Sequence, residues 1–529
     1  MPLRPRPASP IIPAMRLSVA ALTLVLLAPA PRSALAQEAV DVATIARIKD
    51  EALQRSQVME TMSWLTDVYG PRLANSPNIR KAADWATGQL RGWGLSHVQL
   101  EPFTNFGRGW ENTRLTFVAV APQPFPIIAY PRAWSPGTAG PVSGEAVAVQ
   151  IDSAPDFERY RGTLKGKFVL LGAPRTTPEN AITAAMRYSD SALLSIAEPA
   201  APNPARQGQP RRPLDLAAFQ FPAARYAFLA AEQVAAVLLP ARGQEGTVFT
   251  DNGFPRAADA PLQPPTLHVA IEHFGRLTRL VAKGLPVTLE LDMRNRFTDA
   301  DANSFNVIAE IPGTDPALKG EVVMLGAHFD SWHAGTGATD NAAGSAVMME
   351  AVRILTALGV RPKRTIRIAL WGAEEQGLIG SRHFVRAHFR DSTNAPDKPE
   401  AGQLAGYFNV DNGSGKIRGV WMQGNDAVRP IFDAWMEPFK AMGMTTLTSR
   451  TTGGTDHLSF DAVGLPGFQF IQDPLQYDTR THHSNQDVYE QVQPDDMKFN
   501  AAVVASFVWQ AAQRREKLPR KAPPARLQP

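Results

Sequence analysis

A chain of 529 residues exceeds the roughly 250–300 residues at which a single core stops growing, so two folded units are expected. Hydrophobic residues at 44% and charged residues at 20% resemble ordinary globular chains and exclude a disordered or fibrous protein. The net charge of +4 equals the contribution of Arg4, Arg6, Arg16 and Arg32 alone, which argues against a nucleic-acid-binding surface, and the lack of cysteine excludes disulfides, thiolate-bound metal and thiol catalysis.

The amino-terminal stretch reads as a targeting segment. Arg16 precedes an apolar run over 17–28, and Ala34, Leu35 and Ala36 give the small-x-small pattern that a signal peptidase cleaves before Gln37. The run is shorter than the roughly 20 residues that cross a bilayer as a helix. Residues 1–36 are therefore expected to be removed, leaving a periplasmic or secreted protein with no stable membrane insertion. Residues 42–95 carry helical periodicity, broken at Gly70-Pro71 and stopped by Gly92 and Gly94 before an extended stretch at 97–103.

From 125 to 280 the texture changes to short β-like runs at 144–149 and 166–171, a helix-like run at 230–239, and a Pro-, Arg- and Gln-rich loop at 198–213. This stretch is expected to be a separate inserted domain without catalytic residues of its own. After Asn303, strands at 305–310, 321–327, 365–371, 405–410 and 467–471 alternate with helical patterns, of which 342–358 and 497–510 are the clearest. Such alternation predicts an α/β fold with a largely parallel sheet flanked by helices. Residues 37–124 and 281–515 would then form the catalytic domain around the insert, followed by a basic, Pro-rich tail over 516–529.

The chemistry-bearing side chains follow the apolar strands. His328 comes directly after 321–327, Glu374 and Glu375 after 366–373, and Asp411 after 407–410. Open α/β sheets bind ligands outside the carboxyl ends of their strands, so these strands would deliver three sets of side chains to one crevice. Asp340 lies in a Gly-rich loop ahead of a helix, and His482 and His483 lie in a polar loop after Tyr477. Taken singly, Asp340 could cap the helix and Asp411 could belong to an Asp-Asn-Gly turn. Together, imidazoles and carboxylates without cysteine suit Zn²⁺ or a similar divalent ion, and bound cations would relieve the repulsion among the carboxylates.

The runs GAHFDSW (326–332), TDNAAGSA (339–346), WGAEEQG (371–377), GGTDHLSF (453–460) and THHSNQD (481–487) resemble the M28 metallopeptidases, a family of di-zinc aminopeptidases and carboxypeptidases. The stretches at 358–377 and 70–76 are most similar to its carboxypeptidase Q branch, and LKGKFVLL (164–171) is similar to a protease-associated domain. The resemblance implies a zinc-peptidase type of α/β fold, an inserted β-rich protease-associated-like domain and two Zn²⁺ ions as cofactor. It implies that Asp340 bridges the ions, that His328 and Asp411 complete one site and Glu375 and His483 the other, and that Glu374 is the general base. His483 is favoured over His482 because His483-Ser484-Asn485-Gln486-Asp487 fits the family's H-S/T-x-x-D pattern. Asp330 is suited to orienting the His328 imidazole.

A cis Asp340–Asn341 bond is implied in the same way. Asp456 and His457 fall in a loop that lies near the active site in relatives, where substrate contact and simple loop packing are both open. The implied activity is hydrolysis of dipeptides, or of terminal residues of short peptides, by a water that the two ions activate. Short peptides are the expected partners, nucleic acid is not, and a homodimer is left open. Competing readings are a general aminopeptidase of the same family, a non-catalytic receptor-like relative, and a single-zinc acyl transferase of the glutaminyl cyclase type.

Overall fold

Two eight-stranded sheets organise the chain. The computed structural model describes residues 38–176, 185–199, 216–250, 252–261, 263–299 and 301–521. The expected signal at 1–36, most of the loop at 198–213 and the end of the basic tail lie outside the described residues. From Ala39 onward the described residues cluster as one compact unit.

The first sheet runs in the order Ser96–Phe103, Ser304–Ile311, Thr365–Trp371, Val322–His328, Leu404–Asn409, Gly467–Gln472, Ile417–Trp421, Thr446–Thr448. Its central four strands, from Thr365–Trp371 to Gly467–Gln472, are mutually parallel, and antiparallel partners flank them. The inner strands are apolar along nearly their whole length because helices cover both faces, as parallel sheets require. Helices Ala343–Ala357 and Pro494–Gln513 fill one face with the principal core. Trp371, Phe384, Tyr407 and Phe460 fill the other, beneath helices Ile379–His388 and His457–Asp461. This is the expected α/β fold.

The second sheet draws on residues between Gly109 and Thr298, wider at both ends than the 125–280 stretch in which β texture begins. Its order is Phe125–Pro126, Gly109–Ala121, Thr288–Thr298, Val142–Val149, Phe168–Leu171, Ala236–Pro240, Thr266–Val269, Ala129–Pro131, with a parallel run from Val142–Val149 to Thr266–Val269. The helix expected over 230–239 does not form there. A helix at Leu216–Ala231 covers only its first two residues, and Ala236–Pro240 is a strand between two parallel neighbours. A short apolar run carries no usable period, and the pairing partners on both sides decide its conformation.

The amino-terminal helix Val42–Gln54 is fixed to the sheet by a buried ion network. Arg353, on the helix Ala343–Ala357, donates to Glu350 through Nε at 2.7 Å and to Glu51 through Nη1 at 3.0 Å. Glu350, fully buried, also accepts from Ser56 Oγ and from the Gln57 N–H, both at 3.0 Å. Removing one partner strands a buried charge. Arg353→Leu is expected to lower unfolding free energy by about 3–5 kcal/mol, with Glu350→Gln added to it recovering part of the loss. Urea denaturation of both variants checks this, and additive losses would contradict it.

Candidate active site

The carboxyl ends of the parallel strands meet as the sequence pattern requires. His328 ends the strand Val322–His328, and its Nε2 lies 3.1 Å from Asp340 Oδ1 and 3.3 Å from Asp411 Oδ1. His483 Nε2 lies 3.1 Å from the other Asp340 oxygen and 2.9 Å from Glu375 Oε2. Asp340 thus stands between two imidazoles, one of them beside Asp411 and the other beside Glu375. His482 is farther off, 3.9 Å from Asp340, and stacks on Tyr477 at 4.6 Å.

Each loop at this point is tied to another. The Ser345 hydroxyl donates to the His328 carbonyl at 2.7 Å, and Asn341 Nδ2 donates to the Val410 carbonyl at 2.9 Å, joining the Asp340 turn to the strand end that carries Asp411. The Asp340–Asn341 peptide is cis. Gly344 lets the helix start against that strand end, since a Cβ there would come within 2.3 Å of the Val410 carbonyl oxygen. Asp330 faces both His328 and the turn that follows the neighbouring strand. His328 Nδ1 is 3.0 Å from its backbone carbonyl and 3.7 Å from its carboxylate. The carboxylate also accepts the Glu374 and Glu375 N–H groups at 3.1 and 3.4 Å, fixing the turn that presents both acids.

Burial divides the two glutamates from Asp340. Desolvation raises the Glu374 carboxyl well above the usual range despite the His328 charge, with Asp411, Asp456 and Glu375 adding to the rise. Desolvation and then the Asp340 charge bring Glu375 up to about 7. Desolvation would also raise Asp340, but its contacts with His328 and His483 hold it well below the ordinary carboxylate range. His483 shows the reciprocal effect: burial opposes its protonation, yet Glu375 and Asp340 keep it up at about 11.

Two overlapping groups, His328 with Asp340 and Glu375, and Asp340 with His482 and His483, each bring ligand atoms within 4.8 Å of one another and could hold a metal ion. Asp340 Oδ2, Glu375 Oε1 and Asp411 Oδ1 are buried without a hydrogen-bond partner. Asp456 is fully buried on the neighbouring loop, with both oxygens likewise unpartnered. Burial lifts its pKa to about 7, against the pull of the His328 charge. The His457 imidazole packs into the same loop against Gln423.

Two supports escape sequence reasoning. Asp487 accepts from the Thr339 N–H at 2.6 Å, the Thr339 hydroxyl at 2.8 Å and the Asp340 N–H at 3.2 Å. Arg72, fully buried, donates to the carbonyls of Leu65, Phe329, Thr336 and Gly337 at 2.7 to 3.0 Å. Both occur in quoted runs, at 70–76 and 481–487, but their partners lie far away in sequence. Gly337 makes room for Arg72 and Ser331, whose atoms a Cβ would approach to 3.1 and 2.3 Å.

On this fold, the imidazole and carboxylate cluster makes the chain a metallopeptidase by class. Residues 306–508 match the model of peptidase family M28. Carboxypeptidase Q from Bos taurus is 28% identical over 87% of this chain and 86% of its own length. The crystal structure of a peptidase M28 precursor from Shewanella amazonensis SB2B shares the fold, with a TM-score of 0.64 at 23% identity over 91% of this chain and 98% of that one. BSAP, a zinc aminopeptidase from Bacillus subtilis, superposes with a TM-score of 0.54 at 19% identity, over 87% and 96% of the two chains.

Arg72 offers a test of how the loops are held. Lysine would keep the charge but lose the planar fork that reaches several carbonyls at once. Arg72→Lys is expected to lose at least about 3 kcal/mol of stability, since charge-assisted hydrogen bonds contribute about 1.5–3 kcal/mol each. Chemical denaturation measures it, and a loss under about 1 kcal/mol would mean that other donors satisfy those carbonyls.

Proposed function

We propose that the chain is a secreted zinc-dependent exopeptidase that cleaves dipeptides or terminal residues of short peptides at this cluster. The observation that carries the reading is the set of buried oxygens on Asp340, Glu375 and Asp411 that converge on two imidazoles, with Glu375 Oε1 lacking any partner. Buried polar atoms are seldom left so, and a cation is the partner that suits carboxylates and imidazoles together. The residues therefore fit a metal centre. Asp340 would lie between two ions, with His328 and Asp411 completing one side and Glu375 and His483 the other. Zinc is supported by this donor set and by its presence in the Bacillus subtilis enzyme of the same fold.

When bound, paired divalent ions acidify a water and polarise the scissile carbonyl. Glu374 remains outside the proposed ligand set. Its buried carboxyl can take a proton from the attacking water and return it to the leaving amine, while Asp330 holds its backbone in place. The stretch 125–280 is read as a protease-associated-like insert that shapes access to the cleft. In support, the Thr250 N–H donates to the His483 carbonyl at 2.8 Å and Asn485 Oδ1 accepts the Val248 N–H at 2.6 Å. Secretion is supported by the amino-terminal pattern; among the described residues no helix is long and apolar enough to cross a membrane.

The division between the adjacent acids is directly testable. Glu374→Gln is expected to bind the same two zinc ions per chain as the parent while losing roughly 10²–10⁴ in kcat. Glu375→Gln is expected to weaken zinc binding itself. Elemental analysis after dialysis gives the stoichiometry, and equal metal loss in the two variants would refute the assignment.

Substrate reading is tested with a free dipeptide, its N-acetyl form, its C-terminal amide and an aminoacyl anilide. A site with buried groups that pair with a charged end rejects a substrate lacking it, because those groups are left unpaired at about 1–3 kcal/mol. Cleavage confined to the free dipeptide is expected. Efficient anilide cleavage would point to a general aminopeptidase, and turnover of none by zinc-loaded protein would overturn the peptidase reading.

A further inference from the structure

A cleft of about 330 Å³ opens on the second sheet beside the ends of the parallel strands Ala236–Pro240 and Thr266–Val269. Strand carboxyl ends are where α/β sheets take ligands. Arg132, Arg175, Arg225 and Arg242 line it with Tyr226 and His268, and among the described residues no Asp or Glu does so. Like charges converge here, and Arg132, Arg175 and Arg225 form no ion pair among the described residues.

The guanidinium groups are held in place. Arg132 lies between the rings of Phe254 and Tyr226, at 4.3 and 5.2 Å, and donates to Tyr226 Oη at 3.0 Å and to the Gly253 carbonyl at 3.1 Å. Arg225 lies over Phe221 and Tyr226, at 5.8 and 6.0 Å, and donates to the Ile151 carbonyl at 3.3 Å. The Nε of each is buried with no acceptor. Fixed, planar cations with unused donors are complementary to a carboxylate, which can accept two parallel hydrogen bonds from one guanidinium.

The wall of the cleft touches the loop that carries His483. Phe249, on its wall, pairs with Ser484, and the next residue donates to the His483 carbonyl. Pro131, which precedes Arg132, accepts from His333 Nε2 at 2.7 Å. We propose that this cleft is a carboxylate-binding site on the second sheet, and that it receives the carboxyl end of the peptide cut at the cluster. The second half of that statement rests on the peptidase reading; the anion site does not.

The experiment titrates N-acetylglycine, N-acetylglycinamide and inorganic phosphate into the intact protein after its metal has been chelated, with calorimetric detection. N-acetylglycine is expected to bind at one site and the amide not at all. Arg132→Gln/Arg225→Gln should weaken that binding at least about tenfold, the scale of one lost charge-assisted hydrogen bond. Arg132→Lys, which keeps the charge and loses the fork, should give an intermediate affinity and serves if the double variant fails to fold. No binding of N-acetylglycine, binding indifferent to these variants, or tighter binding of phosphate would overturn the carboxylate site.

A second arm compares free dipeptide with its C-terminal amide on zinc-loaded enzyme. The preference for the free dipeptide in kcat/KM should fall at least about tenfold in the double variant. A preference that survives would overturn the assignment of the peptide end. If zinc-loaded parent cleaves no peptide while N-acetylglycine still binds, the anion site stands and the peptidase reading fails.

Discussion

Asp340 must stay ionised in a place almost sealed from water, and the loops around it are arranged to meet that demand. Burial alone would protonate it; the imidazoles of His328 and His483, each 3.1 Å away on opposite oxygens, hold it as a carboxylate. His328 is set by the sheet, as the last residue of a central strand whose carbonyl is held by the Ser345 hydroxyl. His483 sits on an irregular loop and has no such frame of its own.

That asymmetry explains why so much of the molecule converges on two loops. Asp487, four residues beyond His483, accepts both backbone N–H groups at Thr339 and Asp340, so the His483 loop and the Asp340 turn form one piece. Arg72 binds the same turn from the opposite side through the Thr336 and Gly337 carbonyls. The second sheet completes the frame by pairing Phe249 with Ser484. Residues 248–250, in the loop after the strand Ala236–Pro240, are thus bound to the His483 loop through Asn485, Ser484 and the His483 carbonyl.

The catalytic half was readable from the sequence because its strands are long, apolar and each followed at once by an ionisable residue. Val322–His328 and Thr365–Trp371 fall where the pattern puts them, and the structure brings His328, Asp340, Glu375, Asp411 and His483 to one place. What escaped depends on contacts remote in sequence. Arg72 meets carbonyls more than 250 residues away, and no local pattern distinguishes it from a surface arginine. The strand Ala236–Pro240 is too short to show a period, so its two parallel neighbours alone define it. Asp330 does more than its place after His328 suggests: its carbonyl lies 3.0 Å from His328 Nδ1 and its carboxylate reaches the amides of Glu374 and Glu375.

The electrostatics of the cluster also bear on how it would accept cations. Without them, burial brings Glu375, Asp456 and Asp487 up to about 7 and raises Glu374 well above the ordinary carboxylate range, while His483 is held up at about 11. At neutral pH the bare site therefore keeps protons on groups that must shed them to act as ligands. Binding of a cation to Glu375 and His483 displaces those protons, so metal affinity and proton release are linked, and affinity rises with pH across this range. Glu374, outside the proposed ligand set, must also be ionised to accept a proton from water, and cations held beside it would favour that form. The two adjacent glutamates therefore differ in surroundings: Glu375 meets the His483 imidazole at 2.9 Å, whereas Glu374 feels the His328 charge against those of Asp411, Asp456 and Glu375.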